Sequence, residues 1–141
     1  MASALEKDLN SNTYIGLSFP LRKDNNTDFA MTRNSLQQAK HNIKNLLLTY
    51  PGERVGQPEF GSRMRELVFE QIDDELPNRI EEEVRRTISI WLPYINILEV
   101  NTLTDDGDEN KIFVEVKYST SLSPQSLEAI TLDAGYTAER V

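Results

Sequence analysis

Two glycines in the segment GQPEFGSR, residues 56–63, have the spacing of a phosphate-binding loop. That loop follows the pattern G-x-x-x-x-G-K-[ST], in which the lysine contacts the β- and γ-phosphates of a nucleotide and successive backbone N–H groups hold the anion. Here Ser62 stands at the lysine position, Pro58 has no N–H to donate, and Glu59 adds a carboxylate to a site built for anions. We therefore do not predict nucleotide binding, and the glycines need another explanation.

The only histidine, His41, and the acidic segment at 105–109 are the next groups that could do chemistry. A catalytic triad or a histidine metal site would have to use His41, but this residue lies off the apolar face of its predicted helix, which favours a solvated surface position. An EF-hand loop needs the pattern D-x-[DN]-x-[DN]-G, and Gly107 is misplaced for it. The Asp-Gly pair instead favours a hairpin turn. Neither group predicts a catalytic or metal site.

Paired carboxylates could act as the acid and base of a glycosidase, which needs only two such groups about 5 to 9 Å apart. Glu66 with Glu70, or the run Glu81–Glu83, could meet that spacing. However, nothing near them in the sequence predicts the apolar pocket that raises the pKa of a general acid. Trp91 could stack on a sugar, but it continues the apolar spacing of its helix and is expected in the core or at an interface. We predict no catalytic residue, no metal and no cofactor.

Composition and charge restrict the class of protein further. The 141 residues suffice for one domain, and 15 Lys and Arg against 23 Asp and Glu give a net charge of −8. An acidic chain without a basic stripe is not expected to bind nucleic acid. The absence of cysteine excludes disulfides and thiolate metal sites. No apolar run reaches the roughly 18 residues of a membrane span and no signal-peptide core is present, so neither a membrane segment nor export by that route is predicted.

The chain divides into a polar arm and a patterned region. Residues 1–30 place polar side chains around one apolar island, GLSFPL at 16–21, and predict an extended N-terminal arm. Three helices are predicted next, in a single domain over residues 31–141. Their candidate N-caps are Thr32 or Asn34, then Ser62, then Asp73 or Asp74. Their apolar residues, three or four positions apart, are Leu36, Ala39, Ile43, Leu46, Leu47 and Tyr50; Met64, Leu67 and Val68; and Leu76, Ile80, Val84, Ile88 and Trp91. Predicted i,i+4 ion pairs on the third helix are Glu81 with Arg85 and Glu82 with Arg86.

Beyond Pro93 the apolar period falls from three or four to two, which is typical of β-strands. The turn-rich segment TDDGDEN separates the two alternating runs, and a stretch at 127–132 is a candidate third strand. The alternating residues are Leu98, Val100 and Thr102, then Ile112, Val114, Val116 and Tyr118. The sequence therefore predicts an α+β fold in which about three helices pack on a small antiparallel sheet, made of a β-hairpin and a possible C-terminal strand.

Four segments resemble one known family. They are SFP at 18–20, QQAKHNIKNLLLTY at 37–50, PGERVGQPEFG at 51–61 and LVFEQ at 67–71. These segments are similar to the baseplate-wedge proteins of contractile tails, also called sheath initiators, which occur in T-even-type phages, phage-tail-like particles and type VI secretion systems. The resemblance covers about residue 16 to the C-terminus, and PGER with PEFG is its most specific part.

The resemblance implies a structural protein rather than an enzyme. It implies a subunit that seats on the core of the baseplate wedge and offers a small β-sheet from which the tail sheath polymerises, in a virion baseplate assembled in the host cytoplasm. The implied partners are other baseplate wedge proteins and the tail sheath protein, without nucleic acid or membrane. The hairpin residues expected to pair with sheath strands are Ile112, Val114, Val116 and Tyr118. Two alternatives stay open: a baseplate lysozyme that cleaves peptidoglycan, and the equivalent subunit of a type VI secretion baseplate.

The resemblance also suggests a role for the glycine loop. Three glycines and two prolines in the eleven residues 51–61 fix some backbone angles and permit left-handed ones, which predicts a rigid elbow between two helices. The residues assigned to this structural loop are Gly52, Arg54, Pro58, Glu59, Phe60 and Gly61.

One segment departs from the family pattern. The family commonly has Trp-Glu-Pro-Arg-Ile where the long helix ends, and its Glu-Pro-Arg is associated with seating on the wedge core, whereas residues 91–95 here read Trp-Leu-Pro-Tyr-Ile. The charged side chains are absent, so we expect an apolar and aromatic wedge contact. Its predicted members are Trp91, Leu92, Pro93 and Tyr94 at the helix end, with Phe19 and Leu21 from the arm.

Overall fold

The structure is a computed structural model that describes residues 3–10, 12–25, 28–70, 73–105 and 108–134. Over these residues the chain forms four helices and five strands. In chain order they are α1 (Ala4–Leu9), β1 (Gly16–Leu17), β2 (Met31–Thr32), α2 (Ser35–Leu48), α3 (Met64–Phe69), α4 (Leu76–Trp91), β3 (Ile95–Asp105), β4 (Asp108–Thr120) and β5 (Ser123–Asp133). No helix in this part of the chain has the length and apolar character needed to cross a bilayer.

The main sheet is antiparallel with strand order β3-β4-β5, so β4 is its central strand. Helix α2 contacts β4 and β5, α4 contacts β3, and the two helices contact each other and α3. One core joins the apolar faces of the helices to the inward side chains of the sheet. The predicted α+β fold is confirmed, and the candidate C-terminal strand is present as β5.

The apolar spacing predicted the buried face of β4 correctly and failed at the start of β3. Ile112, Val114, Val116 and Tyr118 are all buried. Leu98, expected on the same face as Val100, is instead 51% exposed. Ile97 pairs with Tyr118 while Glu99 pairs with Lys117, so Leu98 is the extra residue of a β-bulge. A bulge reverses the in-out alternation on its two sides, which is why Ile95 and Val100 are both buried.

The predicted N-cap is confirmed for α2 and is wrong for α3 and α4, whose N-cap residues are Arg63 and Glu75 and form no side-chain capping bond. The Asn34 side chain accepts a hydrogen bond from Gln37 N at 2.7 Å and caps α2. Ser62 Oγ accepts one from Met64 N at 3.1 Å at the start of α3, and Asp73 Oδ1 accepts one from Glu75 N at 3.1 Å just before α4.

One of the two predicted ion pairs on α4 is present. Arg85 Nε lies 2.8 Å from a Glu81 carboxylate oxygen, as expected. The predicted pair of Glu82 with Arg86 is wrong, because Arg86 pairs at 2.8 Å with Glu83, three residues away. The Glu83 carboxylate also accepts a hydrogen bond from Arg63 N at the start of α3, and this position keeps it within reach of Arg86.

The N-terminal segment, predicted as an extended arm, has local structure in its described part. Ser3 and Glu6 form a capping box that starts α1, and this S-x-x-E spacing is a sequence signal that was missed because the helix is only six residues long. Further on, Gly16 pairs with Thr32 and Leu17 with Met31 to form a two-stranded sheet. The division into an arm at 1–30 and a domain at 31–141 stays a prediction.

Candidate interaction site

The glycine loop at 51–61 is held by its own backbone. Gly52, Gly56 and Gly61 have φ values of +97°, +86° and +133°, which favour glycine. Gly52 N donates to Pro58 O at 2.7 Å, and Ser62 N donates to Thr49 O at 2.8 Å. At Gly61 an added Cβ would lie 2.5 Å from Thr49 O. The N–H groups of Gly52 and Ser62 are therefore bonded within the protein, and Gly61 lets the chain pass close to the end of α2.

Side chains of the loop, which follows α2 directly in the chain, connect it to α3 and α4. The Arg54 guanidinium lies 4.5 Å from the centre of the Phe60 ring, and Phe60 meets Trp91 edge to face at 5.2 Å. Glu53 accepts from Tyr50 N at 3.0 Å and lies 3.5 Å from Arg65. Of the other predicted loop residues, Pro58 and Glu59 are exposed. The loop thus links α2, α3 and the end of α4, which is the geometry of a structural elbow.

A second link between α3 and α4 centres on Glu83, whose side chain is 12% exposed. Its Oε1 accepts from Arg63 N at 2.8 Å and from Thr87 Oγ1 at 3.2 Å. Burial alone would raise the pKa of Glu83, but the Arg63 N–H, the Arg86 guanidinium and the Thr87 hydroxyl together hold that pKa below its usual value. The ionised carboxylate therefore holds the start of α3 against α4.

The predicted wedge-contact segment is only partly accessible. Leu92 is 9% exposed and belongs to the core, so its prediction as an interface anchor is wrong. It turns inward because the helix stops at Trp91 and Leu92 continues the buried face. Trp91 is half-buried against Phe60. Pro93 is exposed, and Tyr94 is 37% exposed with its hydroxyl accepting from Asn42 Nδ2 at 2.7 Å. The accessible part of this segment is therefore Pro93 and Tyr94.

The arm residues predicted for the same contact are accessible, and Phe19 lies beside α2. Phe19 is 37% exposed and Leu21 is 60% exposed. His41 Nδ1, on α2, lies 3.0 Å from Phe19 N and 2.8 Å from Phe19 O. The expected solvated position of His41 is therefore wrong, because the half-buried imidazole contacts the arm backbone.

The residues predicted to pair with a sheath strand cannot do so. Ile112, Val114, Val116 and Tyr118 lie on β4, and both edges of β4 are already paired, with β3 and β5. Burial raises the pKa of Tyr118, and its hydroxyl donates to Leu36 O at 3.3 Å inside the core. β4 was predicted as the pairing strand because its apolar and polar side chains alternate most regularly. In this structure the strand with that regular alternation is the central one. Free edges of the main sheet belong to β3 and β5.

The β3 edge is partly occupied. Arg85, on α4, donates from Nη1 to Ile97 O at 3.2 Å and from Nη2 to Leu98 O at 3.4 Å. These two carbonyls lie at the bulge, where the edge is already irregular. A further strand would have to displace the Arg85 guanidinium to pair at this point.

The β5 edge presents unused backbone groups, as the ladder pattern shows. Ala134 N donates to Ile112 O at 2.9 Å, which makes Ile112 and Ala134 a hydrogen-bonded pair. Such pairs alternate with non-bonded ones in an antiparallel ladder, and Thr131 lies opposite Glu115 at a non-bonded position. The N–H and C=O groups of Thr131 therefore point away from β4, as do those of Ala129. No residue that the structure describes bonds to them there.

A groove runs beside this edge, and we call it the β5 groove. It encloses about 570 Å³ between β5, α2 and the arm. Its apolar residues are Phe19, Pro20, Leu48, Phe113 and Leu132, and its charged residues are Lys44, Glu53, Arg65 and Asp133. The groove combines an open strand edge with apolar side chains, which is the arrangement that binds an added strand. The sequence did not reveal it, since no single segment supplies more than a few of its residues.

Glu66 and Glu70, one of the carboxylate pairs considered for catalysis, are each bonded to another side chain. Glu66 accepts a hydrogen bond from the Tyr50 hydroxyl, while Glu70 pairs with Arg79. Three carboxyl groups in the described part of the chain have a shifted pKa, and each shift is downward, opposite to what a general acid requires. Arg79 lowers the pKa of Asp73 against the effect of burial, Lys117 lowers that of Glu99, and the bonds described above lower that of Glu83. Among the described side chains, no group of three or more His, Asp and Glu residues could hold a metal ion.

Comparison with known proteins identifies the family. A sequence model of the baseplate wedge protein gp25 family matches residues 33–125, from just before α2 into β5. The chain belongs to the gp25 family of baseplate wedge proteins. Baseplate wedge protein gp25 of Enterobacteria phage T4 is 24% identical over 119 residues, which cover 84% of this chain and 89% of the T4 protein. Membership makes the chain a structural component of the virion tail baseplate, and it confirms the resemblance found in the sequence.

Solved structures share the fold of this gp25 family member. A candidate tail lysozyme from Geobacter sulfurreducens superposes with a TM-score of 0.63 at 26% identity, over 72% of this chain and 92% of that chain. A chain of the anti-feeding prophage baseplate gives a TM-score of 0.59 at 21% identity, over 87% of this chain and 86% of its own. A chain of the postcontracted pyocin R2 baseplate gives 0.51 at 21% identity, over 80% of this chain and 97% of its own. These last two likenesses concern the fold alone.

Proposed function

We propose that the protein is a non-enzymatic subunit of a contractile-tail baseplate wedge and that its β5 edge receives a strand from the first tail sheath subunits. The observation that carries the proposal is the outward direction of the Thr131 and Ala129 backbone groups beside the β5 groove. Ordinary proteins protect such an edge because it invites another strand. Its exposure next to apolar side chains favours a partner that completes the sheet.

The second contact in this proposal is with the wedge itself. Pro93 and Tyr94 are the accessible residues of the segment that departs from the family pattern. Tyr94 is held in place by Asn42 and by the bond from Ser121 N to the Tyr94 carbonyl, which is 2.9 Å long. A pre-ordered aromatic residue loses little freedom on binding, so Tyr94 suits the centre of a contact with another wedge protein.

The experiment that tests strand addition is electron microscopy of tails assembled with a Thr131→Pro protein. Proline removes the outward N–H of Thr131 and leaves the β4–β5 ladder bonds in place, since proline is tolerated at such edge positions. We expect baseplates that contain the variant and fail to extend a sheath. Thr131→Val keeps the N–H and should support full sheaths.

A matched variant on the opposite edge completes the design. By the same alternation, Thr102 on β3 has its N–H directed away from β4. Thr102→Pro should leave sheath growth normal. Full-length sheaths on Thr131→Pro baseplates would contradict the proposal, and a block by Thr102→Pro alone would assign the added strand to β3.

A peptidoglycan-cleaving lysozyme is the second candidate function, because the Geobacter relative carries that description. The partners of Glu66 and Glu70 argue against an acid and base pair at this position. Clearing of a peptidoglycan suspension by the purified protein, lost in a Glu66→Gln or Glu70→Gln variant, would establish the enzymatic function in place of the structural one.

A further inference from the structure

A strongly basic chamber adjoins the β5 groove. It encloses about 600 Å³ between the arm, α2 and β5, and shares Phe19, Pro20, Lys44 and Thr131 with the groove. Its ionisable lining residues are Arg22, Lys40, His41 and Lys44, and its described lining contains no Asp or Glu. In a chain with a net charge of −8, this is a local reversal of sign. We call it the basic chamber.

The cations of the basic chamber are not neutralised within the described part of the protein. Arg22, Lys40 and Lys44 form no ion pair with a described carboxylate. Five of the described cations elsewhere do form such pairs; they are Arg65, Arg79, Arg85, Arg86 and Lys117. Lys40 and Lys44 also stand one helical turn apart on α2, where like charges repel. An anion placed between them would relieve this repulsion.

The charge of the lining decides which kind of ligand the chamber favours. Three cations line it, and no described Asp or Glu does. Hydrogen bonds between cationic donors and ionised oxygens are stronger than those between neutral groups. The chamber therefore favours a ligand that carries carboxylate oxygens.

The chamber and the groove follow one another along β5. Ala129, Ile130 and Thr131 line the basic chamber, while Thr131, Leu132 and Asp133 line the groove. A strand that pairs with the β5 edge would advance about 3.3 Å per residue, so a segment of five or six residues would cross both. Its side chains would meet cations at one end and Leu48, Phe113 and Leu132 at the other.

We propose that the β5 edge selects an extended protein segment with acidic side chains at the end that lies over Ala129 and apolar side chains at the end that lies over Leu132. This inference rests on the proposed strand addition and adds the chemistry of the incoming strand. Nucleic acid is the less suitable polyanion, because the chain as a whole is acidic and the β5 edge offers backbone groups to a peptide. Arg22, Lys40 and Lys44 set the preference, and the edge supplies the pairing.

The test uses the full chain and labelled ten-residue peptides of alternating Val and Thr with three Glu at one end. One peptide carries the Glu residues at its N-terminal end and another at its C-terminal end. Matched peptides carry Gln or Lys in place of Glu. Fluorescence anisotropy should show the tightest binding for one Glu peptide, weaker binding for Gln and the weakest for Lys, with the Glu preference reduced at high salt. The double variant Lys40→Gln/Lys44→Gln should weaken the Glu peptide about three- to ten-fold, as expected for two partly exposed ion pairs, and leave the Gln peptide unchanged. Lys23→Gln, an exposed lysine of the arm outside the chamber lining, is the control and should change neither.

Hydrogen exchange of the Ala129 and Thr131 amides separates the two proposals. Protection by the Glu and Gln peptides alike, with equal affinity, would overturn the charge preference and leave strand addition standing. Absence of protection by any peptide would overturn strand addition and the inference together. Binding of the Glu peptide without protection of these amides would place the peptide away from β5 and overturn the inference. Equal competition by a single-stranded oligonucleotide of the same charge would overturn the assignment to a protein segment.

Discussion

Replacement of Gly61 by alanine tests the elbow at 51–61 most sharply. Gly61 has φ +133°, and its added Cβ would lie 2.5 Å from Thr49 O and 3.0 Å from Pro51 N, both backbone atoms that cannot rotate away. The backbone conformation costs about 1–3 kcal/mol for a residue with a side chain, and overpacking adds about 1–3 kcal/mol. We expect Gly61→Ala to lower the free energy of unfolding by about 2–6 kcal/mol.

Gly56→Ala is the matched control. Gly56 also has a positive φ, +86°, but an added Cβ would meet nothing within 4 Å. The substitution therefore carries only the conformational cost, about 1–2 kcal/mol. Urea unfolding followed by the fluorescence of Trp91, the only tryptophan and a neighbour of Phe60, measures both variants. A Gly61→Ala protein that loses no more stability than Gly56→Ala would refute the close approach on which the elbow depends.

Four further variants test other parts of the structure. Glu83→Gln should cost about 1–3 kcal/mol at neutral pH, measured by urea unfolding, because the ionised carboxylate accepts bonds from Arg63 N and Thr87 Oγ1. The pKa of Glu83 is lowered in the folded protein, so the contribution of Glu83 to stability is complete above the ordinary pKa of 4.5 and is lost as the pH falls through the lower folded pKa. The variant should therefore lose less stability than the parent over that acidic range. Tyr94→Ala should leave the fold intact by circular dichroism and reduce incorporation into purified baseplates, whereas undiminished incorporation would remove Tyr94 from the wedge contact. Glu66→Gln and Glu70→Gln should assemble into tails as the parent does, and a loss of peptidoglycan clearing in either would contradict the structural function.

Local features of the fold could be predicted from the sequence because they depend on neighbours in the chain. Asn34 caps α2 through a bond to Gln37, three residues away, and Pro77 lies in the first turn of α4. The buried face of β4 follows from strict alternation. Leu98 was misplaced because a bulge inserts one residue without any glycine or proline to mark it.

Features set by long-range contacts could not be predicted in this way. Arg86 pairs with Glu83 rather than Glu82 because Glu83 is held by Arg63 N, twenty residues earlier in the chain. The choice of β4 as the pairing strand failed since alternation reveals which side chains are buried but not which strand is central. The basic chamber joins Arg22 of the arm to Lys40 and Lys44 of α2. The sequence does show these two lysines one turn apart, and no carboxylate stands four residues from either, which is a signal for an unneutralised pair.

A structure of the assembled baseplate with its first sheath ring tests the central claim most directly. Strand addition at β5 predicts a fourth strand about 4.8 Å from β5, bonded to the outward backbone groups of Ala129 and Thr131. The central claim would be contradicted by a β5 edge that stays unpaired or is covered by a helix, or by a sheath strand paired with β3 after displacement of Arg85.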